Sequence, residues 1–443
     1  MVSRRRFIET GSIATALLAA GCTSNGGGDG SDGSDGGGGT DGSDGSDNGT
    51  VTGSATDEPI TVGVFYPGVI PDGELTTNAA KYVRDQLNDD GGVLGREIEI
   101  VTADTKLDPE TAGQEGRRLV EQEDVDFLTG GYATGPILAI QQHIAGSGPV
   151  FNASSVGGTQ PLDRIANNYE QHKYFFSPVP VGPLVVSTMA ANMDNVIQPQ
   201  TGVENVVPVI EDHAWTKGFV DRLKQSTEMN VEDPVRFSVD TTDFSPVFSK
   251  VRDSGADLMM LGIAVANGAG FVTQWADNEV PAGMTGILVA ANAPNFKEQV
   301  GEAAHYVSQQ QLGAAAPITE VSLPFVEGYR ERFDSTPGTT AWQTYDAFTS
   351  MMAAAEEAGT IDPDEVVASL EELVMPGTMG MLDYMTVEES DYPHNARMDP
   401  DDGVWYSMLQ YQQEGGDLKN KVVGPDQWEG HDGEDEYQLP PWV

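Results

Sequence analysis

The stretch ELTTNAAKYVRDQLNDDGGVLGREIEIVTAD, Glu74 to Asp104, changes its hydrophobic period once. In the first half Leu75, Ala79, Tyr82, Val83 and Leu87 recur at helical spacing, which lines one face of an amphipathic helix. GGVLG, 91–95, breaks that pattern, and REIEIVTAD, 96–104, alternates as a strand does. The pattern extends outward on both sides. Upstream, ITVGVFY (60–66) is a short apolar strand. Downstream, Asp108 and Pro109 supply an N-cap and a first-turn proline for a helix reaching about Glu121. VDFLTGG is then a strand, PILAIQQHIAG a helix and GPVFN a strand. Strands and helices alternating over short loops predict a parallel α/β sheet.

The alternation restarts after a loop. LVVSTMAANM is read as a helix, ENVVPVIED as a strand, WTKGFVDRLKQS as a helix and PVRFSVD as a strand. FSPVFSKVRDSG, ADLMMLGIAV, GAGFVTQWADN and GILVAAN continue it as helix, strand, helix and strand. Helices follow near 320–333, 341–358 and 363–373, the last with Asp362, Pro363 and Glu365 placed as a capping box. The tail from about Gly377 is read as short strands and turns. A chain of 443 residues exceeds what one core usually organises, so two lobes are expected.

The start of the chain differs in kind. Arg4 to Arg6 precede an apolar segment, Gly11 to Ala20, that is shorter than the roughly 20 residues needed to span a bilayer. Basic start, short apolar run and small residues describe an export signal. SRRRFIE resembles a twin-arginine motif. LLAAGC resembles a lipobox, in which Cys22, the only cysteine, becomes the lipid-bearing first residue. Residues 23–57 are almost entirely Gly, Ser, Asp, Thr and Asn, a flexible composition. Such a tether would hold a folded body about 30 Å from a membrane. Residues 1–22 are therefore expected to be a signal and 23–57 a tether.

Charge narrows the function classes. With 23 Lys and Arg against 69 Asp and Glu, the formal net charge is −46. Nucleic acid is not expected as a partner, because phosphate contacts need cations on the protein. The acidity resembles that of halophile proteins, whose self-repulsion salt screens. The histidines at 143, 172, 213, 305, 394 and 431 form no pair with metal-ligand spacing on one predicted element. G-x-S-x-G, P-loop and dinucleotide fingerprints are lacking. The reading is therefore of a chain that is not an enzyme and needs neither cofactor nor metal.

ITVGVFYPG, NDDGGVLGREIEIVTADT, DPETAGQEGRRLVEQEDVDFLTGG, DFSPVFSKVRDSGADLMMLG and YDAFTSMMAAAEEAG, in that order, resemble the amino-acid-type (Leu/Ile/Val-binding-like) solute-binding proteins of ABC transporters. The likeness covers roughly residues 58–415. It implies a type I periplasmic-binding fold: two parallel-sheet α/β lobes, three hinge crossings and a small solute between them. Lobe 1 is expected to comprise 58–178 and about 313–372, and lobe 2 to comprise 179–312 and about 373–443. It also implies ABC permease subunits as partners and an extracytoplasmic position, here on the outer face of the membrane through lipid on Cys22.

Ligands of open parallel sheets bind beyond the carboxyl ends of the strands. The first such loop, Phe65 to Gly73, offers Tyr66. In the second, Thr134 is expected to cap the following helix, with Pro136 in its first turn and free N–H groups for an anion. The resemblance implies that Tyr132, Ala133 and Thr134, with Ala153, Ser154 and Ser155, hold a ligand carboxylate and amine. In the second lobe Trp215 is expected to supply an aromatic wall, and Ala264 lies in a loop matching a ligand-facing one. Where amino-acid binders of this type often carry an acid toward the ligand ammonium, the chain has Ala291 and Asn292. Branched-chain or other amino acids remain open, as do amides, ureas and small carboxylates, and a ligand-sensing receptor role.

Overall fold

The computed structural model describes residues 58–293, 295–425 and 435–443. Cys22, the arginines before it and the tether lie outside the described residues. The first body runs β1 (Ile60–Tyr66), α1 (Asp72–Asp89), β2 (Ile98–Asp104), α2 (Pro109–Glu121), β3 (Phe127–Tyr132), α3 (Thr134–Gln141), β4 (Val150–Ser155), α4 (Gln160–Asn167), α5 (Tyr169–His172) and β5 (Phe175–Phe176). Its sheet is wholly parallel with order β2-β1-β3-β4-β5. Strand order reverses between β1 and β3, and their carboxyl ends open a crevice there.

The stretch 74–104 folds as its periodicity dictates. Ala79, Tyr82, Val83 and Leu87 of α1 are buried. The break is a two-residue turn: Val93 and Arg96 exchange both N–H···O bonds at 2.9 Å around Leu94 (φ 54°) and Gly95 (φ 73°). Positive φ at both central residues is the hairpin-turn geometry that reverses the chain tightly ahead of β2. Gly92 is required beside it, since a Cβ there would lie 1.9 Å from the Arg96 carbonyl oxygen. Asp108 caps α2 by accepting the Thr111 N–H at 2.7 Å, with Pro109 at the first helical position.

The second body begins with α6 (Gly182–Asn192), which passes through a π-helical turn into α7 (Gln198–Thr201). β6 (Asn205–Glu211), α8 (Phe219–Ser226), β7 (Asn230–Val231), β8 (Val235–Phe237), α9 (Ser245–Ser254), β9 (Leu258–Ile263), α10 (Gly268–Asp277), β10 (Gly283–Leu288), α11 (Phe296–Val300) and β11 (Ser308–Leu312) follow. β10, β9 and β6 lie side by side, and β7 and β8 both pair with the far edge of β6, all parallel. The second sheet thus repeats the order of the first, with its reversal between β6 and β9. β6 is buried on both faces, Val206 and Ile210 in one core cluster and Val207 and Val209 in another. That is why it reads as a continuous apolar run. The predicted strand GILVAAN ends at Leu288, and Val289–Asn292 turn as a short 3₁₀ helix.

The chain then returns to the first body as α12 (Ser322–Phe333), α13 (Thr339–Ala358) and α14 (Pro363–Glu372), with α13 packed on α1 and β4. Asp362 accepts from the N–H groups of Asp364 and Glu365, but the reciprocal half of the expected capping box is replaced: the Asp362 N–H donates to Thr360. β12 (Val374–Gly377) and β13 (Gly380–Asp383) form a hairpin, and β14 (Tyr406–Glu414) and β15 (Asp417–Gly424) extend β11 as an antiparallel sheet. Residues beyond the boundary expected near 373 still hold to the first body. Asp346 of α13 accepts from Thr378 and Met379, and the Tyr384 hydroxyl accepts from Asn152 at 2.7 Å. His394 stacks on Phe176 at 3.9 Å and bonds Glu371 at 2.8 Å. Asn395 laces this segment to 177–181: its amide donates to the Ser177 and Val179 carbonyls, and its oxygen accepts the Val181 N–H. The chain passes between the two bodies three times, after β5, after β11 and before β14.

Candidate functional site

The first crevice is built at the ends of β1, β3 and β4. Tyr66 ends β1, and its carbonyl accepts the Thr105 N–H at 2.9 Å. Asp104 holds the following loop by accepting the Gly68 N–H at 2.8 Å. Tyr132 ends β3 in register with Ser155 of β4. Burial, with the Asp72 charge adding, pushes the Tyr132 phenol up to about 12, so it is a neutral hydrogen-bond donor. Ala133 has φ 66° and ψ 147°, a conformation rare for any residue with a Cβ. It turns the chain sharply into α3, and its N–H donates to the Ser155 carbonyl at 3.2 Å.

Ala133, not Thr134, stands at the cap position of α3, and no side chain caps that helix. The Thr134 hydroxyl accepts the Gly158 N–H at 2.9 Å instead, tying the β3 and β4 loops together. Pro136 lies in the first turn as expected. Along β4, successive side chains point to opposite faces. Ala153 and Ser154 are fully buried, and Ser154 accepts a 2.9 Å hydrogen bond from Thr344 of α13. Ser155 is half-buried, and its hydroxyl makes no hydrogen bond among the described residues. Of the two serines, Ser155 therefore has the uncommitted hydroxyl beside Tyr132.

Sequence reading singled out the loop Phe65–Gly73 but not its acid, Asp72. This carboxylate lies close enough to Tyr132 for its charge to raise the phenol. Burial raises the Asp72 carboxyl above the ordinary range, and the Thr340 hydroxyl donates to the Asp72 main-chain carbonyl at 3.2 Å. One acid among 69 carries no mark in sequence; only its place at the start of α1, behind a strand end, could have flagged it.

The second crevice lies at the ends of β6, β9 and β10. Trp215 is half-buried, edge-on to Phe219 at 6.3 Å, and its indole N–H donates to Glu211 at 2.7 Å. Ala264 follows β9, and its N–H also donates to Glu211, at 3.1 Å, so that donor is already engaged. Asn292 ends the 3₁₀ turn after β10, and its Oδ1 is buried without a hydrogen-bond partner. Glu211 was not anticipated from sequence. Among the described residues no group of His, Cys, Asp or Glu is arranged to hold a metal, and no helix is long and apolar enough to cross a membrane.

A family profile described as periplasmic binding protein matches residues 59–389. Among solved structures, a putative branched-chain amino acid ABC transporter from Silicibacter pomeroyi superposes with a TM-score of 0.75 at 17% identity, over 87% of this chain and 100% of that one. The branched-chain amino acid substrate-binding protein LivJ of Streptococcus pneumoniae, in complex with isoleucine, gives 0.64 at 18% identity over 83% and 100%. A solute-binding protein of Rhodopseudomonas palustris BisB5, in complex with 3,4-dihydroxybenzoic acid, gives 0.65 at 18% identity over 83% and 96%. At these identities the likeness is one of fold. No curated protein sequence matches the chain.

Proposed function

Because the chain belongs to the periplasmic binding protein family, we propose that it is the extracytoplasmic solute-capturing component of an ABC importer, closing two lobes on a small polar solute that bears a carboxylate. Isoleucine and 3,4-dihydroxybenzoate, bound in two of the solved relatives, both carry such a group. The observation that carries the reading is the first crevice. There Tyr132 and the uncommitted Ser155 hydroxyl converge with the α3 terminus at the carboxyl ends of a doubly wound sheet. Asp72, beside Tyr132, is the acid available to a ligand ammonium, which keeps a branched-chain or other amino acid as the main reading. Tyr66, Ala133 and Thr134 shape this wall, with Ala153 and Ser154 buried behind it; Trp215, Ala264 and Asn292 shape the opposite one. The protein works as a binder rather than a catalyst.

We propose the lobes as 58–178 with about 313–398, and 179–312 with about 399–443. The contacts of Tyr384, His394 and Asn395 support the later boundary. Permease subunits are the proposed protein partners. Lipid on Cys22 is the proposed anchor to the outer face of the membrane, with 23–57 as the leash.

Asn292 favours a second reading. Its buried, unpartnered Oδ1 is an acceptor in the place where an acid often stands, and a neutral amide or urea N–H of a ligand satisfies it as well as an ammonium does. A thermal-shift screen of amino acids, amides, ureas and small carboxylates in high salt separates the two, because a ligand bound only to the folded state raises the melting point. Stabilisation by amino acids supports the first reading. Stabilisation confined to amides or ureas supports the second, and no response from folded protein to any class overturns both.

A further inference from the structure

Glu211 is the last residue of β6 and stands at the point where strand order reverses in the second sheet. It is fully buried. Its Oε1 accepts the Trp215 indole N–H at 2.7 Å and the Val265 N–H at 3.1 Å. Its Oε2 accepts from the N–H groups of Ala264 at 3.1 Å, Val265 at 2.9 Å and Ala266 at 2.9 Å. Among the described residues no Lys, Arg or His pairs with it, and the nearby Arg236 turns to Asp212 at 3.7 Å. The charge is balanced by N–H dipoles alone.

Three successive backbone N–H groups converging on one point form an anion-binding nest. This nest lies beyond the carboxyl end of β9, where ligands of such sheets are bound. In the first body the corresponding reversal leaves hydroxyls uncommitted; in the second the chain has filled its own anion seat. We propose that Glu211 is a positioning and specificity residue of the second lobe, a built-in carboxylate that occupies the nest of Ala264, Val265 and Ala266 and aims Trp215. The proposal rests on the cleft described above.

Two consequences follow for the solute. Its acid group is directed to the first lobe, because the anion seat of the second is taken and already negative. The second lobe offers the ring face of Trp215, whose N–H is held, so the part of the solute facing it is apolar or planar and carries no second negative charge. Val265 is 59% exposed, yet its N–H contacts both carboxylate oxygens.

Amide hydrogen exchange on the whole protein tests this without any solute. The N–H groups of 264–266 are expected to exchange about a hundredfold more slowly than exposed loop amides, as strand amides do. Fast exchange there in the parent protein overturns the proposal. In Glu211→Ala that protection is expected to be lost locally, and sodium formate is expected to restore it while chloride at equal ionic strength does not. A folded variant that formate leaves unprotected overturns the nest. Should Glu211→Ala not fold, Glu211→Gln carries the test. Its NH₂ group replaces one acceptor oxygen, so exchange at 264–266 rises, and the emission difference between parent and Trp215→Phe changes in the Gln background. Unchanged exchange and emission overturn the positioning role. A failed solute screen with slow exchange at 264–266 rejects the functional reading and leaves the nest standing, so the two failures are distinguishable.

Discussion

Ser154→Ala and Ser155→Ala remove the same hydroxyl from adjacent residues of β4, and the structure predicts opposite phenotypes. Ser154 is fully buried and accepts the Thr344 hydroxyl at 2.9 Å. Losing a neutral hydrogen bond of this kind costs about 1 kcal/mol. Thr344 lies in α13 and can turn to the carbonyl one helical turn back, which keeps the loss at the low end. Unfolding entropy grows with chain length, so for a folded part this size the melting temperature falls by only about 1–2 °C. Solute affinity changes little, because the hydroxyl never reaches the crevice. Ser155 has no internal partner among the described residues, so its removal leaves stability unchanged. If it bonds a charged group of the solute, the loss is about 1.5–3 kcal/mol, or roughly tenfold to a hundredfold in affinity. Scanning calorimetry of both variants, with isothermal titration using the solute found by the thermal-shift screen, reads the two effects separately. Equal loss of affinity in the two variants, with neither destabilised, would refute the assignment of the β4 faces.

Ala133→Gly relieves a φ of 66° that costs about 1–3 kcal/mol, partly offset by the greater freedom of an unfolded glycine, so the melting point should rise; a fall shows that the conformation is not strained. Burial pushes the Asp346 carboxyl up to about 7, so between the ordinary carboxylate range and that value the folded state holds a proton the unfolded state has lost. Stability from this group is present at low pH and is lost as pH rises toward about 7, a slope that Asp346→Asn should abolish; parent and variant with identical pH–stability curves count against it. A net charge of −46 predicts that melting temperature climbs between about 0.1 M and about 3 M KCl as the acidic surface is screened; a flat profile rejects salt-dependent folding. Cys22→Ser should release the protein from the membrane fraction or block its processing, which immunoblotting of fractions detects.

The fold was legible because its elements are locally determined. The Leu75–Leu87 stripe, the Asp108 cap and the doubly buried run of β6 each state their structure without reference to distant residues. What sequence could not show depends on packing between remote segments. Thr134 has the chemistry of a cap, yet its hydroxyl is taken by Gly158, 24 residues away. Ser154 and Ser155 look alike until α13 arrives over one of them. Glu211 is one acid in a chain full of them, and only the return of the loop after β9, more than 50 residues later, makes it a hub. Asp72 became a candidate site residue in the same way, through its neighbours Tyr132 and Thr340.

The lacing of Asn395 to residues 177–181 bears on mechanics. Two of the three connecting strands are riveted side by side at this point, with His394 wedged against Phe176 as a further fastening. Separate cords between two bodies let them swivel in every direction. A pair of cords bonded along their length behaves as a flat leaf spring, compliant across its thin dimension and stiff against twist and sideways shear. Any opening and closing of the two bodies is thereby confined close to a single rotation. Each closure then returns the same residues of the two crevices to the same separation, without any contact in the crevices having to guide it.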